Sequence, residues 1–278
     1  MVKNIIKIFV NKSIILLAKS KIGLYVFQQI VETSINNKMH ISYKGINFCF
    51  SVPNALNRYR IETFATKEPE TLDWISSIDD KSILWDIGAN VGLYSCFAAK
   101  YKDCKVFSFE PSVFNIELLA RNIFNNKLTD KVSIIPLPLT DAIEISSLNM
   151  TSTNWGGALS TFGKTYGQDG KPLDKIFEFK VIGLSISAAI ESLNIPKPDY
   201  IKMDVDGIEH LILKGGLEAL KNVKSVLIEI DESFDKQFSD SSRYLQEAGL
   251  VFKEKFSADK SGDPLFANCY NQIWVRKI

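Results

Sequence analysis

From residue 82 onward, short apolar runs alternate with segments of helical period. Ile83 to Ile87 is a brief apolar run that stops at a glycine-rich turn, which reads as a strand. Residues 91–101 read as a helix and Lys105 to Phe109 as the next strand. In 112–126, Ile116, Leu119, Ala120, Ile123 and Phe124 recur at i, i+3, i+4, i+7 and i+8, the period of a helix with one apolar face. Val132 to Leu137 is a third strand. The rhythm resumes with a strand over Tyr200 to Met203, a helix over 207–220, a strand over Ser225 to Ile230 and a helix near 239–248. Leu250 to Phe256 and Tyr270 to Val275 are expected to close the chain as an antiparallel edge pair. Strands separated by helices imply right-handed crossovers, and so an α/β fold with a parallel sheet covered on both faces.

Two regions lie outside that rhythm. Residues 140–180 include TSTNWGGALSTFGKTYGQDG, a polar, glycine-rich insertion with Trp155 and Tyr166 embedded, and long insertions in regular domains tend to serve function. Upstream, residues 39–52 alternate around Lys44-Gly45 as a β-hairpin, and Pro69 to Ile78 predicts a short helix with proline in its first turn. The expected organisation is a basic helical segment over 1–38, a hairpin and helical lead-in over 39–80, and the α/β domain over 81–278.

Charge separates the first segment from the rest. The 278-residue chain has a formal charge of +1, yet residues 1–31 hold Lys3, Lys7, Lys12, Lys19 and Lys21 and no acid, so +5 there leaves −4 elsewhere. Ile14 to Ala18 is the longest apolar run there, too short and too lysine-flanked for a secretory signal. Ile5, Ile8, Phe9, Ile15 and Leu16 share a helical face that Lys12 interrupts. A basic helix on an anionic membrane surface is one reading; packing on its own domain or on a second subunit is the expected one. No window holds about 18 uninterrupted apolar residues, so no ordinary transmembrane helix is expected.

A 46% hydrophobic, 11% aromatic composition excludes disorder over most of the chain. The near-neutral charge argues against nonspecific nucleic-acid binding. Cys49, Cys96, Cys104 and Cys269 form no C-x-x-C pair, so neither a disulfide framework nor a zinc site is expected, and a cytoplasmic location fits.

Ligands of doubly wound sheets bind beyond the carboxyl ends of the strands, where this chain reads Asp86-Ile87-Gly88-Ala89-Asn90-Val91-Gly92, then Phe109-Glu110-Pro111, Met203-Asp204-Val205-Asp206-Gly207 and Glu229-Ile230-Asp231. Gly88 and Gly92 are spaced G-x-x-x-G, not the G-x-G-x-x-G of a pyrophosphate turn, and Asp86 there repels a diphosphate but attracts a cation. Glu110, at the end of the next strand, is placed to take both hydroxyls of a ribose. A ligand with a ribose, a positive charge and no phosphates satisfies both acids, and S-adenosylmethionine is such a ligand.

These motifs resemble the FkbM-type S-adenosylmethionine-dependent methyltransferases: DIGANVGLYS (86–95), FEPS (109–112), IKMDVDGIEHLILKGG (201–216), VLIEID (226–231) and the lead-in KEPETLDWI (67–75). The resemblance implies a Rossmann-like, seven-stranded class I methyltransferase sheet with an antiparallel terminal strand. It also implies O-methylation of a sugar, glycan or hydroxylated metabolite. By position, Asp86, Gly88, Asn90 and Gly92 would form the methionine side of the pocket. Glu110 would hold the ribose, Pro111 and Ser112 would shape the adenine edge, Asp141 would meet the adenine amino group, and Asp204 would lie nearest the methyl. Members often show L-D-D before the fourth strand, where this chain has Leu184-Ser185-Ile186-Ser187.

Plainer roles compete with these. Asp206 is suited to cap the following helix, with Glu209 as its capping-box partner. Asp204 ends an apolar strand, where an unpaired carboxylate is costly, which favours a ligand role. An EF-hand is excluded because its twelfth position is Gly215. His210 is a catalytic candidate by its neutral-range titration, although its position off the apolar face suggests a surface or edge histidine. Trp155 and Tyr166 either line an acceptor cleft or pack on their own domain. No metal site is expected. The alternatives to a methyltransferase are a noncatalytic protein on the same fold and a nucleotide-dependent oxidoreductase.

Overall fold

The computed structural model describes residues 2–258 and 266–277, with side chains from Val10 onward. Its centre is a seven-stranded sheet in the order β11-β12-β10-β9-β3-β4-β5. The parallel strands are β3 (Ile83–Ile87), β4 (Lys105–Phe109), β5 (Val132–Ile135), β9 (Tyr200–Met203) and β10 (Ser225–Asp231). β11 (Leu250–Ser257) and β12 (Cys269–Arg276) are antiparallel, with β12 inserted between β10 and β11. The chain winds outward from β3 through β4 to β5, then crosses back to β9 on the other side of β3. The switch point therefore lies between β3 and β9, where two carboxyl ends open a crevice.

Each central strand alternates its side chains between two covered faces. Leu84 and Val106 join one core with Phe48, Phe50, Leu72, Phe97 and Leu119; Trp85, Ile87 and Phe109 join the other with Ile186, Ile212, Leu213 and Leu245. The first face carries α4 (Pro69–Ser77), α5 (Leu93–Tyr101), α6 (Val113–Asn125) and the hairpin of β1 (Lys38–Tyr43) and β2 (Ile46–Ser51). Lys44 and Gly45, at φ 47° and 77°, form the two-residue turn of that hairpin.

α6 is rotated from its sequence expectation. It buries Asn115, Leu118, Leu119, Asn122 and Ile123, leaving Phe124 72% exposed. The asparagines face inward because the hairpin backbone needs partners: Asn122 Oδ1 accepts from Ser51 N at 2.8 Å and Asn126 Oδ1 from Cys49 N at 3.0 Å.

Residues 140–180, expected as irregular insertion, contain a second sheet. β6 (Glu144–Met150) pairs antiparallel with β7 (Ser160–Phe162) and β8 (Phe177–Gly183), and Leu148, Met150 and Phe162 face the main core. The expected helix over 207–220 is two short ones, α8 (Glu209–Lys214) and α9 (Leu217–Leu220), broken at Gly215–Gly216. α3 (Ala55–Glu62), α7 (Ile186–Leu193) and the start of α10 (Asp235–Glu247) were not marked by the apolar pattern.

The N-terminal segment is a bent pair, α1 (Val2–Leu17) and α2 (Lys21–Ile35), turning by 117°. The expectation that it packs on its own domain is corrected: Ile15, Leu16, Leu17, Ile22 and Leu24 are 56–79% exposed. Of the predicted apolar face, the Ile5, Ile8 and Phe9 side chains lie outside the described residues.

Candidate active site

A cavity of about 310 Å³ opens over the carboxyl ends of β3, β4, β9 and β10. Its floor is the glycine turn after β3. Gly88 at φ +83° lies so close to the loop after β9 that a Cβ there would sit 1.8 Å from the Asp204 carbonyl oxygen. Only glycine permits this approach. Gly88 N and Ala89 N both donate to Phe109 O at 3.0 Å, which joins the turns after β3 and β4. Asn90 (φ +49°) lines the cavity beyond them, and Gly92 starts α5.

Glu110 sits where the sequence places it. Its two carboxylate oxygens accept from Asn90 N and Ser112 N, each at 2.8 Å. A carboxylate offers about four lone-pair sites, and with the Asn115 side chain also bonding here, part of that capacity remains for a ribose hydroxyl. Burial pushes its carboxyl up to about 7, against the pull of those backbone donors. Beside it, Pro111, Leu137, Pro138 and Leu139 form an apolar wall. Asp141 is not part of that wall. Its carboxylate accepts from Lys214 Nζ at 2.8 Å, so the expected contact with an adenine amino group is corrected.

Asp86 is also displaced from its expected role. Its side chain is 1% exposed and lies behind the cavity wall, where Oδ2 accepts from Ser95 Oγ. The cation it meets is internal: Lys202 Nζ, itself 3% exposed, is 3.9 Å from Asp86 Oδ1 and 3.3 Å from Asp204 Oδ2. Burial would lower the Lys202 ammonium, but Asp204, Asp86 and Glu68 hold it above its ordinary value. Asp204 is therefore not unpaired. Burial raises its carboxyl, and Lys202, Lys67 and Arg60 outweigh that and hold it below the usual range.

Asp206 is not a helix cap. α8 begins at Glu209 with Ile208 before it, and it is the Glu209 carboxylate that folds back to accept from Val205 N and Gly207 N at 3.1 Å. Asp206, at φ +62°, turns into the cavity, and its Oδ2 accepts from Ser160 N at 3.2 Å. Burial and the neighbouring Asp204 charge raise its carboxyl to about 7.

His210 is neither a surface residue nor part of the cavity wall. It is 1% exposed and set edge-on against Phe234, both ring nitrogens lack partners, and burial pushes it down to about 4. Trp155 and Tyr166 also lie outside the wall: the indole N–H donates to Glu117, and Tyr166 packs on Phe234. The second sheet instead presents Gly157 to Ser160 and Phe162.

Several cavity residues escaped the sequence reading. Tyr59 and Arg60 come from α3, a polar helix with no apolar stripe to announce it, and Thr63 caps its C-terminus. Lys67, Glu68 and Tyr94 form a connected group, with Lys67 Nζ 2.8 Å and Tyr94 Oη 2.9 Å from opposite Glu68 oxygens. Glu229, marked by the sequence near a strand's carboxyl end, lines the cavity two residues before the end of β10, and burial followed by the Asp204 charge raises it well above its ordinary value. Arg60 donates from Nη2 to Gly156 O at 2.7 Å, its buried Nε has no partner, and it makes no ion pair among the described residues.

The cavity suits a cationic ribonucleoside. A buried carboxylate faces the cavity where a ribose hydroxyl can reach it, and Asn90 Oδ1 is buried without a partner. Asp204 supplies negative charge at the opposite end.

Residues 86–252 match the Methyltransferase FkbM domain family. The chain is 25% identical over 223 residues to the hexuronic acid methyltransferase AglP of Haloferax volcanii, across 78% of this chain and 83% of that protein. Among solved structures it is similar to P. horikoshii TYW2 in complex with MeSAdo, at 14% identity and a TM-score of 0.49 over 87% of this chain and 73% of that one. It is also similar to the Methanococcus jannaschii fibrillarin pre-rRNA processing protein, at 12% identity and a TM-score of 0.46 over 87% and 84%.

Proposed function

The chain belongs to the FkbM methyltransferase family and is an S-adenosylmethionine-dependent methyltransferase; on that premise we propose that it methylates a hydroxyl of an acidic sugar, a hexuronic acid or a close relative. The observation that carries the acceptor class is Arg60: a cleft guanidinium near Asp204, with a buried unpartnered Nε and no ion pair to a carboxylate among the described residues. A guanidinium binds a carboxylate in a paired geometry, which a hexuronic acid supplies. The likeness to a hexuronic acid methyltransferase supports the same reading.

Bound S-adenosylmethionine supplies a methyl group already attached to a good leaving group. Glu110 takes the ribose hydroxyls, and Gly88 lets the turn after β3 pack directly against the loop that carries Asp204. Asp204, kept ionised by Lys202, faces the positive end. Asp206, raised to about 7, accepts the proton of the acceptor hydroxyl, since a base that titrates near the working pH combines availability with driving force. Arg60 orients the sugar so that its hydroxyl lines up with the methyl. No single helix among the described residues is long and apolar enough to cross a membrane.

Oligosaccharides ending in a hexuronic acid or in the matching neutral hexose test the acceptor. Cofactor consumption and the mass gain of one methyl should appear with the acidic sugar, and Arg60→Gln should raise its KM about tenfold or more, as expected for a lost charged hydrogen bond. Equal turnover of the neutral sugar would remove the acidic-acceptor reading.

Glu110 makes a separate prediction. The ribose diol donates to the ionised carboxylate, so cofactor affinity should rise as pH increases through about 7 and level off above it. Glu110→Gln should weaken binding about tenfold and flatten that dependence in calorimetric titrations. A retained pH dependence in the variant would assign it to another group.

A further inference from the structure

We propose that the α1–α2 pair docks the protein on an anionic lipid surface, its aliphatic side chains entering the headgroup boundary and its lysines meeting lipid phosphates. The pair has little hold on the rest of the molecule. Hydrogen bonds tie it down at its C-terminal end, from Ser34 Oγ to Pro53 O at 2.8 Å and from Val52 N to Asn37 O at 2.9 Å. Beyond that end, Val10, Ile14 to Leu17, Ile22, Leu24 to Val26, Ile30 and Val31 are all exposed. So many large apolar side chains exposed on one short segment are of the sort that marks an interaction site.

The bend is built in. Ser20 caps α2 by accepting from Gly23 N, and a Cβ at Gly23 would lie 1.8 Å from Leu17 O, so glycine lets the helices meet at this angle. Two short limbs at 117° present apolar surface along an interface without being able to span it as one straight helix.

Charge selects the occupant. The segment through Ile35 carries five lysines and one acid, Glu32 at its far end, and Lys12, Lys19 and Lys21 are exposed beside the apolar residues. Two copies of this pair face to face would set like charges against each other, whereas an anionic bilayer neutralises them and accepts aliphatic groups. The attachment also bears on the active site: Pro53, which holds Ser34, precedes Asn54, and Asn54 caps α3, the helix that brings Tyr59 and Arg60 into the cavity.

The test reads binding by the full chain and not turnover, so its outcome is independent of the acceptor. Sedimentation with phosphatidylcholine vesicles is compared with vesicles of mixed phosphatidylcholine and phosphatidylglycerol. Several lysines at about 1 kcal/mol each predict a preference for the anionic vesicles of at least about tenfold, declining as salt rises. Val26→Glu with Ile30→Glu, both at exposed positions, should abolish that binding while cofactor affinity is unchanged. Equal partition into both vesicle types, or anionic binding that survives the double substitution, would overturn the proposal. So would a dimer in solution that the double substitution disperses in a chain that ignores vesicles, since the occupant would then be a second copy.

Discussion

Asp206→Asn is expected to lower kcat by about 10²–10⁴-fold, the usual contribution of a positioned general base, with the cofactor Kd unchanged. The substitution keeps the shape of the side chain, and an asparagine oxygen still accepts from Ser160 N, so the loop carrying β7 stays in place. Asparagine also tolerates the left-handed backbone at φ +62°. Only the proton acceptor is lost. In the parent enzyme kcat should rise with pH through about 7 and then level, because the base acts in its unprotonated form. Asp204→Asn removes a neighbouring like charge, so Asp206 then titrates lower and the rise should move to lower pH. Stopped-time assays of cofactor consumption across pH measure both effects. Undiminished turnover in Asp206→Asn, or an unmoved profile in Asp204→Asn, would take the proton away from Asp206.

Lys202→Met is expected to cost about 3–5 kcal/mol of stability, the penalty for breaking a buried ion pair by removing one partner. Asp86 is 1% exposed and its Oδ1 accepts no hydrogen bond, so the ammonium 3.9 Å away is its main compensation. Without it, burial drives the Asp86 carboxyl further up and the chain must either protonate it or admit water. Lys202→Met with Asp86→Asn removes both charges and should recover much of the loss. Urea unfolding of the parent and the two variants reads this directly, and a Lys202→Met protein as stable as its parent would show that Asp86 is neutral in the native fold.

Much of the architecture was legible because it is written at short range. β3, β4 and β9 occupy the residues that their apolar runs and following turns mark; the alternation of strand and helix implied the parallel sheet, and the family resemblance implied its seven-stranded form. The glycine turn and Glu110 were readable for the same reason, since a chain leaving a parallel strand must turn within a few residues, and those residues line the cavity at the sheet's carboxyl edge. The second sheet was not legible: β6 reads EISSLNM, and its inward residues, Leu148 and Met150, are too few to set a period against the serines.

Local pattern thus determined the strands of the main sheet and their order along the chain. What only the tertiary structure decided is which charges meet. Lys202 lies in the middle of an apolar strand, and nothing adjacent in sequence announces that it reaches Asp86, 116 residues earlier, as well as Asp204. Asp206 reads as a cap until Glu209 is seen to take that task, which frees Asp206 to face the cavity. α3 has no apolar stripe, yet it contributes Arg60. Periodicity records how much of each element is buried, because burial repeats with the backbone geometry. The protonation and pairing of a carboxylate depend instead on groups brought within a few ångströms from distant parts of the chain, and that proximity exists only once the chain has folded.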